Sequence, residues 1–217
     1  MVVPPPPMRP LLRGWLHFAG FVAAAIVGAL FIGAADDGRR ELAAAAFAGA
    51  AMTTLAVSSL YHRVTWSPRA RLWMRRADHA GIYLLIAGTY TAVGLLSLHG
   101  RLQQIVLGVV WSGAAAATLT KFCWVRAPKW LSALFGIALG WVGVLALPQL
   151  AHSTGPGAIV LLAAGGVAYT AGALVYALRR PDPIPTVFGY HELFHALTLV
   201  ALACQYVAIA FFVVRVG

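Results

Sequence analysis

The sequence predicts an all-α integral membrane protein of seven transmembrane helices, N-terminus in the cytoplasm and C-terminus outside. Three observations carry this. Apolar residues make up 61 % of the 217 positions and charged residues only 10 %, far from the roughly 25 % charge of soluble domains. Seven apolar runs reach or approach the length of about 20 residues that crosses a bilayer. The charges, prolines and glycines collect in the breaks between those runs. A soluble enzyme and a disordered chain are both excluded, the second because disorder needs low hydrophobicity.

The chain opens with an arm at residues 1–13, which holds four consecutive prolines at positions 4–7 and has no helix-forming capacity. The membrane domain takes up residues 14–217. Its first span, 14–34, is too long for the apolar core of a signal peptide, and further spans follow it. The second, 42–61, is rich in Ala, Gly, Ser and Thr, and small residues permit close helix approach, so this helix is expected inside the bundle. The remaining spans are 79–98, 105–124, 131–150, 158–178 and 193–214. Between them lie an acidic and basic turn at 35–41, a basic linker at 63–76, and breaks at 126–129, 152–157 and 179–186, each holding proline, which stops one helix before the next begins. Cys123 and Cys204 are too few for a disulfide framework and read as packing residues.

The formal charge of +10 would suggest nucleic acid in a soluble protein. Here it sets orientation, and no nucleic acid is expected. Twelve of the sixteen Lys and Arg fall on the side shared by the N-terminus and the second, fourth and sixth loops; Arg39, Arg40, Arg101 and Arg215 fall on the other. The positive-inside rule assigns the richer side to the cytoplasm.

Ionisable residues at membrane depth are rare and functional by default. They cluster at Ser58–His62 closing the second span, at Asp78 and His79 opening the third, and at His191–His195 opening the seventh. The orientation brings all three to the cytoplasmic ends of their helices. His191 and His195 are four apart, the helical spacing that lets two imidazoles reach one metal. His62 would supply a third ligand and leave a fourth position open for water, as in catalytic zinc sites. Asp78 would accept or orient a proton, and it also suits a helix cap. Ser58, four residues before His62 and so on the same face, would hydrogen-bond a developing oxyanion or the water; Ser59 is the alternative. His79 points about 100° away from Asp78 on an ideal helix. His17 has no polar neighbour in the first span, and His99 and His152 fall on the opposite side. A Schiff-base pigment is excluded, because the seventh span carries no lysine.

His191–Glu192–Leu193–Phe194–His195 also matches the H-E-x-x-H pattern of zinc metalloproteases, in which the glutamate is the general base. No Asp, Glu or His follows His195, so a third ligand would have to come from upstream.

Taken together, SSLYHRV, RRADHAGIYLLIAGTYT and HELFHALTLVA resemble the haemolysin III family, the bacterial branch of the progestin and adiponectin-receptor (PAQR) superfamily, which is similar to alkaline ceramidases. The resemblance covers roughly residues 40–215. Ser58, His62, Asp78, His191 and His195 match its S-x-x-x-H, Asp and H-x-x-x-H pattern position by position. It implies a zinc ion on His62, His191 and His195, with Asp78 and Ser58 beside it. The implied chemistry is hydrolysis of a membrane lipid amide such as ceramide, in a multi-pass protein of the bacterial inner membrane with its site near the cytoplasmic face. Eukaryotic receptors of the superfamily carry long N-terminal domains where this chain has a short arm. Two other readings stand beside the hydrolase: a membrane-perturbing or signalling protein with a structural zinc, and an intramembrane metalloprotease using Glu192.

Overall fold

The structure is a computed structural model and describes the backbone of residues 10–124 and 127–213, with side chains as far as residue 210. The proline run at 4–7, Arg126 and Arg215 lie outside the described residues. Among the described residues there are seven helices long and apolar enough to cross a membrane and no strand; one bridge pairs Ile184 with Phe188. The helices are α1 (Trp15–Gly33), α2 (Gly38–Arg63), α3 (Pro68–Ser97), α4 (Gly100–Cys123), α5 (Lys129–Ser153), α6 (Gly155–Leu178) and α7 (Tyr190–Val207, continued by a π-helical turn, Ala208–Val213).

The helix starts follow local chemistry. Asp37 Oδ1 accepts from the N–H groups of Arg39 at 2.8 Å and Arg40 at 2.9 Å, which satisfies free donors of α2. Ser67 caps α3 by accepting from Ala70 N, and Pro68 stands at the first helical position, where its missing N–H is no loss. This corrects two expectations. The linker at 63–76 was expected to be loop, yet most of it is helix, because arginine is a good helix former and the Ser-Pro start lies upstream of it. Asp78 therefore does not open or cap α3; it lies ten residues inside. At 30 residues, α3 is about 45 Å long and outreaches the roughly 30 Å hydrocarbon layer.

The alanine-rich α2 is interior, as expected: Ala43, Phe47, Ala48, Ala51 and Leu55 are fully enclosed. Phe47 packs against Phe31 of α1 and Tyr206 of α7. α3 lies so close to α2 that a Cβ on Gly88 would sit 2.5 Å from Ala50 Cβ and 2.9 Å from Ala46 O. Thr54 Oγ1 donates at this seam, lying 2.8 Å from both Gly81 O and Ala50 O.

α5 is broken. Its α-helical Lys129–Gly140 gives way to a tighter 3₁₀ segment, Trp141–Ala146, before Leu147–Ser153 resumes. Tyr90 of α3 spans the break: its hydroxyl donates to Gly140 O and accepts from Gly143 N, both at 2.6 Å. A residue from another helix thus adds hydrogen bonds to the backbone where the pitch changes, in an apolar setting.

Candidate metal centre

With seven crossings, the starts of α1, α3, α5 and α7 share one end of the bundle with the last turns of α2, α4 and α6. His62 stands in the last turn of α2, and His191 and His195 lie on successive turns at the start of α7. One ring nitrogen from each of the three lies within 4.8 Å of the others. His62 Nε2 and His191 Nε2 are 3.1 Å apart. Three ligand nitrogens around a tetrahedral zinc at 2.0–2.1 Å stand about 3.4 Å from one another; the donor type suits such an ion, and the His62–His191 pair already stands near that spacing.

Asp78 Oδ2 is 3.8 Å from His62 Nε2. The Ser58 hydroxyl lies beside the same carboxyl and is buried. Ser58, rather than Ser59, lines the adjoining cavity. The five residues singled out in the sequence therefore come together.

Glu192 does not join them. It is 1 % exposed, its Oε1 is paired with Arg13 Nε, and its Oε2 accepts from Gly189 N at 3.0 Å. The carboxylate closes the first turn of α7 as a capping box and anchors the segment before α1. That is an architectural role, at odds with a metalloprotease base.

Sequence reasoning passed over two histidines. His17 is buried, neither ring nitrogen has a hydrogen-bond partner among the described residues, and the ring stacks on His195 with 3.7 Å between centroids and 5° between planes. Its position one turn into α1, at the end of the bundle that holds the other polar residues, was the available signal. His79 lines the cavity although it does not share the face of Asp78 exactly one position away on the helix.

The cavity has a volume of about 270 Å³. Its polar end is formed by His17, Ser58, Asp78, His79, His191 and His195, and it runs between α3, α5, α6 and α7 to Leu98, Leu147 and Leu150, lined mainly by apolar side chains. Along α3 the lining extends from Asp78 to Val93, about 22 Å at 1.5 Å per residue. That exceeds half of the roughly 30 Å hydrocarbon thickness, so the cavity is long, with one polar end and mainly apolar walls.

The haemolysin-III related family matches residues 7–206 of the chain. The chain is 31 % identical over 169 residues to the hemolysin-3 homolog of Bacillus subtilis (strain 168), covering 77 % of this chain and 76 % of that protein. It is 33 % identical over 157 residues to hemolysin-3 of Bacillus cereus, covering 72 % and 68 %. It is 32 % identical to a heptahelical transmembrane protein, ADIPOR2, of Oryza sativa subsp. japonica, covering 73 % and 76 %. The family match takes in all seven membrane helices and all five converging residues, and the chain belongs to the haemolysin-III related family.

Proposed function

We propose that the protein is a zinc-dependent hydrolase of a membrane lipid amide or related acyl bond, set in the bacterial inner membrane with its site at the cytoplasmic face. The observation that carries this is the three-histidine group, flanked by a carboxylate and a hydroxyl, at the polar end of an otherwise apolar cavity. A zinc ion on His62, His191 and His195 would supply Lewis-acid polarisation of the carbonyl and a more acidic water. Asp78 takes the proton from the attacking water, whose oxygen joins the carbonyl carbon. The carbon–nitrogen bond breaks, and the proton held on Asp78 passes to the leaving amine. Ser58 keeps the Asp78 carboxyl directed at the histidines, and the cavity excludes bulk water while seating the acyl chain. The charge asymmetry of the loops supports the orientation.

The test is metal content and lipid-amide hydrolysis of the purified protein beside its variants. Asp78→Asn should retain zinc and lose about 10²–10⁴-fold in turnover, the usual contribution of a positioned acid–base group. His191→Ala and His195→Ala should lose the metal. Well-folded wild type without zinc, or full turnover in Asp78→Asn, would overturn the reading. The relatives named hemolysin-3 favour a second reading, a membrane-perturbing protein with a structural zinc. It expects Asp78→Asn and Ser58→Ala to keep full activity, whereas the histidine variants fail to fold.

A further inference from the structure

The end of the bundle that holds the histidines also gathers cations that no carboxylate pairs with among the described residues. The buried face of α4 runs Val106, Val110, Ala114, Ala117, Lys121: an apolar stripe at helical spacing ends in a lysine that is 2 % exposed. On α3 the cavity-lining face includes His79, Tyr83, Ile86 and Tyr90, and one turn before His79 the same face carries Arg75. On α5 Ser132 and Ala133 line the cavity, and Lys129 stands one turn before them. Its ammonium donates to the Tyr190 hydroxyl at 2.9 Å and lies 4.3 Å from the ring centre of Tyr176, itself a lining residue. Arg75, Lys121 and Lys129 are all close enough to act on the His79 imidazole, which lines the polar end of the cavity.

The neighbouring carboxylates are engaged elsewhere. Glu192 pairs with Arg13 and Asp78 faces His62, while Asp182 accepts from Tyr190 N at 2.7 Å. Among the described residues, no ion pair includes Arg75, Lys121 or Lys129. An enclosed ammonium without a counterion is costly, and cations at membrane depth are ordinarily paired. Methionine at position 121 would continue the apolar stripe at no such cost. An anion supplied from outside would answer this charge, and the apolar cavity, which the cations approach through its lining residues His79 and Tyr176, favours an anion attached to a hydrocarbon chain.

We propose that Arg75, Lys121 and Lys129 form a phosphate subsite at the mouth of the cavity, and that the lipid whose chain fills the cavity carries a phosphate headgroup. An arginine fork with two mobile ammonium groups is a donor set suited to a phosphate dianion. Arg75 precedes Asp78 by three residues, so the headgroup sits about one helical turn from the metal centre. The subsite rests on the reading of the cavity as a lipid site and requires neither metal nor hydrolysis.

The test uses full-length protein in maltoside detergent, stripped of metal, at fixed ionic strength. Hexadecyl phosphate, hexadecanoate and hexadecanol are titrated while thermal unfolding is followed. The expected result is stabilisation by hexadecyl phosphate at about a tenfold lower concentration than by the other two. In the double variant Lys121→Met, Lys129→Met that advantage falls by about tenfold or more, whereas Arg69→Gln, an exposed cation at the same end, retains it. Should the double variant not fold, Lys129→Gln alone is expected to weaken hexadecyl phosphate by about threefold. Equal binding of phosphate, carboxylate and alcohol would overturn the subsite, as would equal weakening in Arg69→Gln and the lysine variants. Phosphate preference without lipid hydrolysis would leave the subsite standing and count against the hydrolase alone.

Discussion

Glu192 separates an architectural carboxylate from a chemical one, and its replacement by glutamine is the sharpest perturbation. Both oxygens are committed, one to Arg13 and one to the Gly189 N–H, and the residue is 1 % exposed. Glutamine keeps an oxygen for Gly189 but sets a neutral amide against a guanidinium. Removing one member of a buried pair costs about 3–5 kcal/mol. The Arg13 side chain, however, is 25 % exposed, and water reaching it lowers that cost to about 2 kcal/mol. Glu192→Ala loses the cap as well, which adds about 1 kcal/mol. At about 2–4 °C per kcal/mol for a chain of this size, Glu192→Gln should unfold about 4–8 °C lower, with Glu192→Ala lower still. Thermal unfolding in detergent, followed by far-ultraviolet circular dichroism, reads both, and the cycle with Arg13→Gln isolates the pair. Zinc content and hydrolysis below the transition should stay at wild-type levels in Glu192→Gln. Unchanged stability together with abolished turnover would refute this reasoning and restore the glutamate as a base.

Glycine positions give a contrast of sign. Gly88→Ala drives a methyl against Ala50 and the Ala46 carbonyl and should destabilise by about 1–2 kcal/mol, overpacking less the gain in helix propensity. Gly49→Ala meets nothing within 4 Å and should stabilise by about 0.5–1 kcal/mol; thermal unfolding checks both. His17→Ala removes the ring that holds His195 in plane and should weaken zinc about tenfold in a chelator competition. His17→Phe keeps the stack and should restore the affinity and the visible spectrum of a cobalt-substituted site. Tyr90→Phe removes the bonds of its hydroxyl to Gly140 O and Gly143 N, at about 1–3 kcal/mol, and should speed hydrogen exchange within Trp141–Ala146.

The helix count was legible because a bilayer demands long apolar runs, which local sequence records. The helix ends were less legible. The bilayer constrains the apolar middle of a span, whereas Ser67, Pro68 and four arginines carry α3 three turns beyond it. The break in α5 was hidden because its partner, Tyr90, lies 50 residues away from Gly140 in the chain. Ser58, His62, Asp78, His191 and His195 were recoverable because their depth follows from alternating helix direction, and their spacing from the helical period. His17 satisfies the same depth argument. It was passed over because its meaning lies in a stack on another helix, and its own neighbours in sequence are apolar.

One short stretch before and within the start of α1 explains how histidines from helices far apart in the chain hold a common register. Leu11 N and Leu12 N bond to Thr186 O at 3.0 Å and Val187 O at 3.2 Å, which ties the stretch to the loop that leads into α7. Arg13 then reaches Glu192, the residue after His191, and His17 stacks on His195, the other clustered histidine of α7. Gly14, with φ +81°, faces the end of α2 so closely that a Cβ would lie 2.8 Å from Arg63 Cγ and 2.9 Å from His62 Cβ. A side chain there would be strained by the positive φ and would push the end of α2 away from α1. Since the same few residues grip α7 through Arg13 and His17, that displacement would open the gap between His62 and His191. The 3.1 Å separation of their nitrogens therefore depends in part on the packing of the first helix, which contributes none of the three clustered histidines.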